Sequence, residues 1–311
     1  MGAINKDLLE DLRQVADVRL DVPLSRHTTF GIGGPADAFI IAQNADDLRR
    51  LVALCHRYQE AFFILGAGSN ILVSDKGIRG VTIENRARGL EGPADNSNGR
   101  AIFRAESGTS IAALARHLCS RGFAGLEWAG GIPGTIGGAV VYNAGAYDGS
   151  VATVLKSVQM VSKDGLQYEM AVDELGLGYR ESAFTRKLFE GHVILSADLL
   201  LNPADPEELA HRLVELDRSR QASQPRGRSA GSIFKNTREY PAWWLIDQVG
   251  LRGHRHGDAE ISAKHPNFIL NIGRAKASDV LALIDLACQR VDDEFAIKLV
   301  PEVAFVGEGL Q

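Results

Sequence analysis

The chain has 311 residues, 45% hydrophobic and 23% charged, with a formal net charge of −5. That length suffices for two or three domains with sizeable cores, and the composition is that of an ordinary soluble protein. The acidic balance argues against a nucleic-acid partner, whose footprint is a basic surface. No apolar run approaches the roughly 20 residues that span a bilayer, and the stretch 1–21 is too evenly charged for a signal peptide. Three cysteines, Cys55, Cys119 and Cys288, lie far apart with no C-x-x-C, which fits buried, inert thiols in a reducing compartment. The eight histidines show no ligand spacing, so no catalytic metal is expected.

In chain order, 36–43 reads as a strand, and Asn44 then caps a helix with Leu48, Leu51, Val52 and Cys55 as its apolar stripe. Strands follow near 61–65, 71–73 and 80–84. The stretch 92–99 is rich in Gly, Asn, Pro and Asp and reads as an exposed turn. A strand at 101–106 leads to a helix capped by Ser110 and ended by Gly122. A glycine-rich loop at 130–138 precedes strands near 155–161, 167–171 and 192–201. Asp205-Pro206 opens a further helix, with Pro at its first position. Residues 221–229 read as a linker, 241–249 as a short helix, and Ser278 as the cap of a last helix. Strands near 267–272 and 297–305 complete a small third α/β unit.

Two strings stand out. Gly130, Gly131, Gly134, Gly137 and Gly138 fall among Ile, Val and Ala, without the polar company of a linker. Such backbone passes close to something; either a ligand with a phosphate chain or an ordinary buried turn explains it. Gly66-Ala67-Gly68-Ser69-Asn70 follows the apolar run 62–65 and forms a possible anion nest, with Ser69 and Asn70 as extra donors. It is neither a dinucleotide fingerprint, since a strand follows it, nor a P-loop, since no Gly-Lys-Ser/Thr is present. Two such turns, each fed by an apolar strand, suggest a dinucleotide held between two lobes.

Three segments carry groups able to do chemistry. Gly231-Ser232-Ile233-Phe234-Lys235-Asn236 offers a serine that is either a proton donor or a turn residue. No G-x-S-x-G exists and no triad context surrounds it. Tyr179-Arg180-Glu181 offers an arginine that is either catalytic or a surface cation. Pro301-Glu302-Val303 sets a carboxylate in a strand-like run, and alternation does not decide which way it faces.

Taken in order, these pieces resemble the UDP-N-acetylenolpyruvoylglucosamine reductase family. The resemblance runs from about Leu24 to Glu308. It also rests on His27-Thr28-Thr29-Phe30, Ile32-Gly33-Gly34-Pro35, Ser229-Ala230 and Lys264-His265-Pro266-Asn267-Phe268. It implies an α+β chain: a two-lobe FAD-binding domain of the vanillyl-oxidase type over 1–85 and 86–222, and a smaller α/β substrate domain over 223–311, with a return of the C-terminal tail toward the FAD domain as the alternative for its end. It implies FAD, noncovalent because 66–70 contains no His or Cys for attachment, and NADPH as the hydride source. The substrate would be a small sugar nucleotide. By the same resemblance Gly66, Ala67, Gly68, Ser69, Asn70, Gly130, Pro133, Gly134, Thr135, Gly137 and Gly138 would bind the cofactor. Tyr179, Asn236 and Lys264 would contact substrate. Ser232 would donate a proton to carbon, with Arg180 and Glu302 stabilising the enolic carboxylate. Only 185–191 separates Phe184 from the strand at His192, as in the short form that lacks an extra tyrosine loop. Three positions depart from the family's usual residues: Gly31 and Ala304, where a basic residue is common, and Thr237, where proline is. A flavin oxidase of the same superfamily and a non-catalytic nucleotide-binding protein are the competing readings. A cytoplasmic location and a monomer are the default expectations.

Overall fold

The computed structural model describes residues 4–95 and 99–310. The chain begins with α1 (Lys6–Arg13), β1 (Val18–Pro23), β2 (Pro35–Ala42), α2 (Ala45–Arg57), β3 (Phe62–Leu65), β4 (Ile71–Val73), β5 (Ile78–Asn85) and β6 (Leu90–Asp95). It continues through β7 (Ala101–Glu106), α3 (Ile111–Ser120), β8 (Phe123–Ala124), α4 (Ile136–Val141), β9 (Gly145–Ala146), β10 (Gly149–Ser150), β11 (Leu155–Val161), β12 (Gln167–Ala171) and β13 (Val193–Pro203). The last elements are α5 (Pro206–Ser223), α6 (Ala242–Gln248), β14 (Arg255–His256), β15 (Ala259–Ile261), β16 (Ile269–Asn271), α7 (Ala277–Phe295) and β17 (Ala304–Val306).

These elements form two compact units. The first comprises the chain up to Arg19, Ala38–Gly66 and Gly80–Arg220; the second comprises Leu20–Asp37, Ala67–Arg79 and the chain from Gln221 on. Two segments of the stretch 1–85 thus cluster with the C-terminal part of the chain.

In the first unit, one sheet is built from Ala38–Ala42 of β2, Gly80–Asn85 of β5 and β3, in that order, with β3 parallel to β5 and Phe62 opposite Val81. Helix α2 packs Leu48, Leu51, Val52 and Cys55 against Ile40, Val81, Ile83, and Leu8 and Leu12 of α1, all fully buried. Each such side chain contributes about 1.5–3 kcal/mol of hydrophobic burial, enough to fix which face turns inward. Asn44 caps α2 as expected, its Oδ1 accepting from Asp47 N at 2.8 Å. The second sheet, β12-β11-β13-β7-β6, is antiparallel, with β8 paired to the end of β13. Its inner face packs Phe103, Val158 and Leu199 with Ile111, Leu114 and Leu118 of α3.

In the second unit, β4 and β17 pair in parallel, Ile71 opposite Ala304 and Val73 opposite Val306. Strands β14, β15 and β16 form a small antiparallel sheet. Helices α6 and α7 cover a core that includes Leu245, Ile246, Leu283, Ile284, Phe30 and Leu72.

Several sequence expectations change. The stretch expected to turn at 92–99 is partly strand: β6 pairs with β7, and the register shifts between Glu91 and Ala94. Pro93 is tolerated because β6 is an edge strand and the shift falls there; residues 96–98 lie outside the described residues. Neither α1 nor β1 was expected. The last helix starts at Ala277, so Ser278 lies inside its first turn. Its end is held instead by Asp75, whose carboxylate accepts from Ala277 N at 2.8 Å and Ser278 N at 3.1 Å. The expected linker overlaps α5, which runs through Ser223. The expected strand at 297–305 shrinks to β17, since Pro301 has no N–H to give a ladder.

Candidate active site

In the first unit, β3 delivers Gly66. A Cβ built there would lie 2.7 Å from Thr135 Oγ1, so the two glycine strings meet at these residues. The second string is not a loop throughout, which corrects the reading of 130–138. Thr135 caps α4, its Oγ1 accepting from Gly138 N at 3.4 Å, and Gly137 and Gly138 are helical. Much of the glycine content serves protein packing. Gly137 N donates to Ser107 O at 2.8 Å, and a Cβ on Gly137 would sit 3.1 Å from Ser107 Cβ. Gly130 and Gly131 make room for Leu213, Asp217 and Arg220 of α5. Gly134 adopts φ +152°, which side chains rarely allow. Gly138 and Pro133 are exposed and Gly66 is half-buried. Small residues thus surround the Thr135 hydroxyl, beside which a Cβ on Gly66 would not fit.

Arg180 sits in a tight turn in which Gly178 and Glu181 exchange both backbone hydrogen bonds, at 2.9 and 3.3 Å. Its φ is +55°, unusual for a residue with a side chain. Its Nη2 donates to Gly145 O at 2.7 Å, and its guanidinium lies 5.5 Å from the centre of the exposed Tyr179 ring. Buried Asn143 braces the turn by donating from Nδ2 to Gly178 O at 2.8 Å.

Arg220 was not singled out from sequence. Burial pushes its pKa below the ordinary arginine value, against the opposing pull of Tyr147 and Asp217. A cation held beside Gly131 in this way is a candidate anion contact. No periodic signal marks it; only its place at the end of α5 does.

In the second unit, the turn after Gly66 is closed on protein. Gly68 is buried at φ +60°, and a Cβ there would lie 2.4 Å from His27 O and 2.8 Å from Thr28 Cα. The close approach at Gly68 is therefore to backbone of this chain. Ala67 is exposed and Ser69 half-buried. Asn70 donates from Nδ2 to Glu302 O at 3.2 Å, and its own carbonyl accepts from Ala304 N at 3.0 Å.

Ser232 and Glu302 come together here. Glu302 N donates to Ile233 O at 2.7 Å, and Ser232 bridges Phe268 on its other side. Both residues are half-buried. Asn236 caps α6, its Oδ1 accepting from Ala242 N at 3.0 Å, and the exposed Lys264 donates from Nζ to Gln221 O at 2.6 Å. Asn236 and Lys264, two of the three residues proposed for substrate contact, thus already bond to this chain. The departures from the family pattern are accommodated locally. Thr237 exchanges bonds with Tyr240, 2.9 Å each way, to form the turn before α6. A Cβ on Gly31 would lie 3.0 Å from Arg228 Cδ, so Arg228 fills the space beside it.

Burial pushes the Cys55 and Cys119 thiols up to about 12, so neither is a ready nucleophile. Among the described residues, no helix is long and apolar enough to cross a membrane. Among them, no group of three or more His, Cys, Asp or Glu is placed to hold a metal ion.

Comparisons with known proteins agree on one relationship. Residues 222–306 match the family model described as UDP-N-acetylenolpyruvoylglucosamine reductase, C-terminal domain, and residues 36–171 match an FAD binding domain. The protein of that reductase name from Desulfosudis oleivorans is 42% identical over 298 residues, covering 94% of this chain and 95% of its own. Its counterpart from Lachnoclostridium phytofermentans is 36% identical over 317 residues, covering 98% and 99%. The crystal structure of UDP-N-acetylenolpyruvylglucosamine reductase from Thermus caldophilus superposes with a TM-score of 0.77 at 34% identity, covering 94% of this chain and 99% of that one.

Proposed function

This chain belongs to the UDP-N-acetylenolpyruvoylglucosamine reductase family, and from that premise we propose which of its residues carry the reaction. It is an FAD-dependent oxidoreductase of peptidoglycan precursor synthesis, using NADPH to reduce the enolpyruvyl group of a UDP-sugar to a lactyl ether. When bound, FAD supplies the hydride to the terminal vinyl carbon.

The chain's own work begins with the charge this leaves behind. An electron pair arrives on the carbon next to the carboxylate and spreads into it as an enolate. Arg180 binds and polarises that carboxylate as a cation, where a preorganised electrostatic contact is worth most, and Glu302 stabilises the enolic form by donating a hydrogen bond from a protonated carboxyl. Ser232 holds the proton that passes from its Oγ to the carbon. A serine hydroxyl is a weak acid, and it serves because the enolate carbon is a strong base. Tyr179, Asn236 and Lys264 orient the sugar nucleotide. Gly66, Ala67, Gly68, Ser69 and Asn70, with Gly130, Pro133, Gly134, Thr135, Gly137 and Gly138, hold the cofactor. On this reading 1–85 and 86–222 are the FAD-binding lobes and 223–311 is the substrate domain. On the same reading the enzyme works as a monomer in the cytoplasm.

The observation that supports the reading most is the hydrogen-bonded pairing of the Ser232 and Glu302 segments, which brings an acid and a carboxylate from distant parts of the chain into one strip. The test is the visible spectrum of the purified protein. NADPH should bleach its flavin band, and the enolpyruvyl sugar nucleotide should restore it without oxygen. Restoration by oxygen alone would favour an oxidase, and flavin that stays with the protein after acid precipitation would contradict noncovalent binding.

A further inference from the structure

Four segments distant in sequence run side by side in the second unit: Asn70, 302–304, 232–235 and 267–268. Asn267 is 3% exposed, and both polar ends of its side chain lie on one residue. Its Oδ1 accepts from Phe234 N at 2.9 Å, and its Nδ2 donates to Phe234 O at 2.9 Å. Its backbone carbonyl also accepts from Ile233 N at 2.8 Å. Across the strip, Lys235 N donates to Val300 O at 2.9 Å, and Glu302 N to Ile233 O at 2.7 Å. Asn70 closes the far side, with Nδ2 on Glu302 O at 3.2 Å and its carbonyl on Ala304 N at 3.0 Å. The residue before Ser232, Gly231, has φ +79°, and a Cβ there would meet nothing within 4 Å. Ser232 is therefore fixed from its C-terminal side, through Ile233 and Phe234, and from its bridge to Phe268.

We propose that Asn267 and Asn70 are positioning residues for the reduction, Asn267 setting the place of Ser232 and Asn70 that of Glu302. The inference rests on the roles assigned above to Ser232 and Glu302. An asparagine side chain is a peptide group on a short stem, so Asn267 substitutes for the strand neighbour that Phe234 lacks on the side away from its bridge to Pro301. Pro266, with no N–H, cannot extend a backbone ladder in that direction. Asn70 and Ile233 hold the two peptide groups that flank Glu302, so its side chain starts from a fixed backbone. Because Asn70 ends the first glycine turn, that turn and the catalytic carboxylate share one anchor.

The experiment is a double-mutant cycle on the holoenzyme, read in separate half-reactions. Asn267→Asp keeps the acceptor for Phe234 N–H and loses the donor to Phe234 O. It should slow reoxidation by the enolpyruvyl sugar nucleotide roughly 10- to 10²-fold, the scale of an ångström-sized misplacement. Flavin reduction by NADPH and the KM for the sugar nucleotide should change much less. In a Ser232→Ala background the same substitution should add little, because the group it positions is already gone. Equal fold-losses in both backgrounds would show a merely structural residue and overturn the proposal. Should Asn267→Asp fail to fold, Asn70→Ala crossed with Glu302→Gln makes the same test on the other flank, with the same two outcomes. A Ser232→Ala enzyme that reoxidises normally would overturn the assignment of Ser232, and positioning by Asn267 with it. Normal loss in Ser232→Ala with additive loss from Asn267→Asp overturns positioning alone.

Discussion

The turn that carries Arg180 is held from within, whereas the strip that carries Ser232 and Glu302 is held from its flanks. Four consecutive residues, 178–181, close the turn with their own backbone bonds, and Arg180 accepts a left-handed φ to do so. That conformation costs about 1–3 kcal/mol and persists only where the surroundings enforce it. In the strip, Ser232 and Glu302 take their places from segments far away in sequence, through Asn70 and Asn267. A local turn concentrates strain at one residue, and a lateral strip distributes the constraint over many weak bonds. Damage to the first should therefore be specific to its residue, and damage to the second should spread to its neighbours.

The sharpest way to break this comparison is at the guanidinium itself. Arg180→Lys keeps the charge but loses the planar fork and its bond to Gly145 O, and should slow flavin reoxidation by the sugar nucleotide roughly 10²-fold or more. Stopped-flow measurement of both half-reactions checks this, and equal slowing of NADPH-driven reduction would remove Arg180 from the substrate carboxylate. Next comes Asn143→Ala, which strips the brace from the turn, leaving Gly178 O with only its longer bond from Glu181 N and Ala152 N without the Asn143 side chain. A loss of about 0.5–1.5 kcal/mol in denaturant unfolding is expected, the net worth of a lost side-chain hydrogen bond. An unchanged midpoint would show that the turn holds itself.

Two glycines sharpen the contrast in the second unit. Gly68→Ala drives a Cβ against His27 O and should lower both Tm and flavin content. Gly231→Ala meets open space and carries only left-handed strain, about 1–2 kcal/mol. A Gly68→Ala protein as stable as the Gly231→Ala protein would refute the backbone packing described for Gly68.

The smallest effect is in pH, with one histidine in each unit. His192 lies below the ordinary value of 6.5 through burial, then Lys163 and His56; His265 lies below it through burial first, with Arg252 adding. Each binds a proton more readily unfolded than folded, so stability rises with pH across that interval. It is fully present above about 6.5 and is lost as pH falls through the folded values. Tm measured down to about pH 5 should therefore decline, and less steeply in His192→Phe or His265→Phe; an unaltered slope in both would assign the decline to carboxylates.

What could be read from the sequence was local. Asn44 and Ser110 mark helix starts because their side chains accept from N–H groups three residues on. The alternation in β7 shows directly which face is buried. The chemical residues were legible as segments: Ser232, Arg180 and Glu302 each stand in a recognisable string. What escaped depends on partners far along the chain. The strand at 71–73 was legible but its partner was not: β17 is three residues long, too short for any period to show, and its pairing with β4 groups the first glycine turn with the C-terminal part of the chain. Asn267 was visible within a motif, but its use depends on Phe234. β6 was masked by Pro93, whose turn signal an edge position overrode.

The parallel pairing of β4 with β17 also sets an order of events during synthesis. All segments of the first unit have been synthesised once Arg220 is made, so that unit can close when they have cleared the exit tunnel, while translation continues. β4 emerges early and must wait until Val306 has been added, some tens of seconds of elongation at most at about 5–20 residues per second. Through that interval Leu72, buried in the finished protein, has no strand beside it. A message truncated before Ala304 would yield a chain with the first glycine turn but with an open edge at β4, a substrate for proteases and chaperones before it could ever be an enzyme.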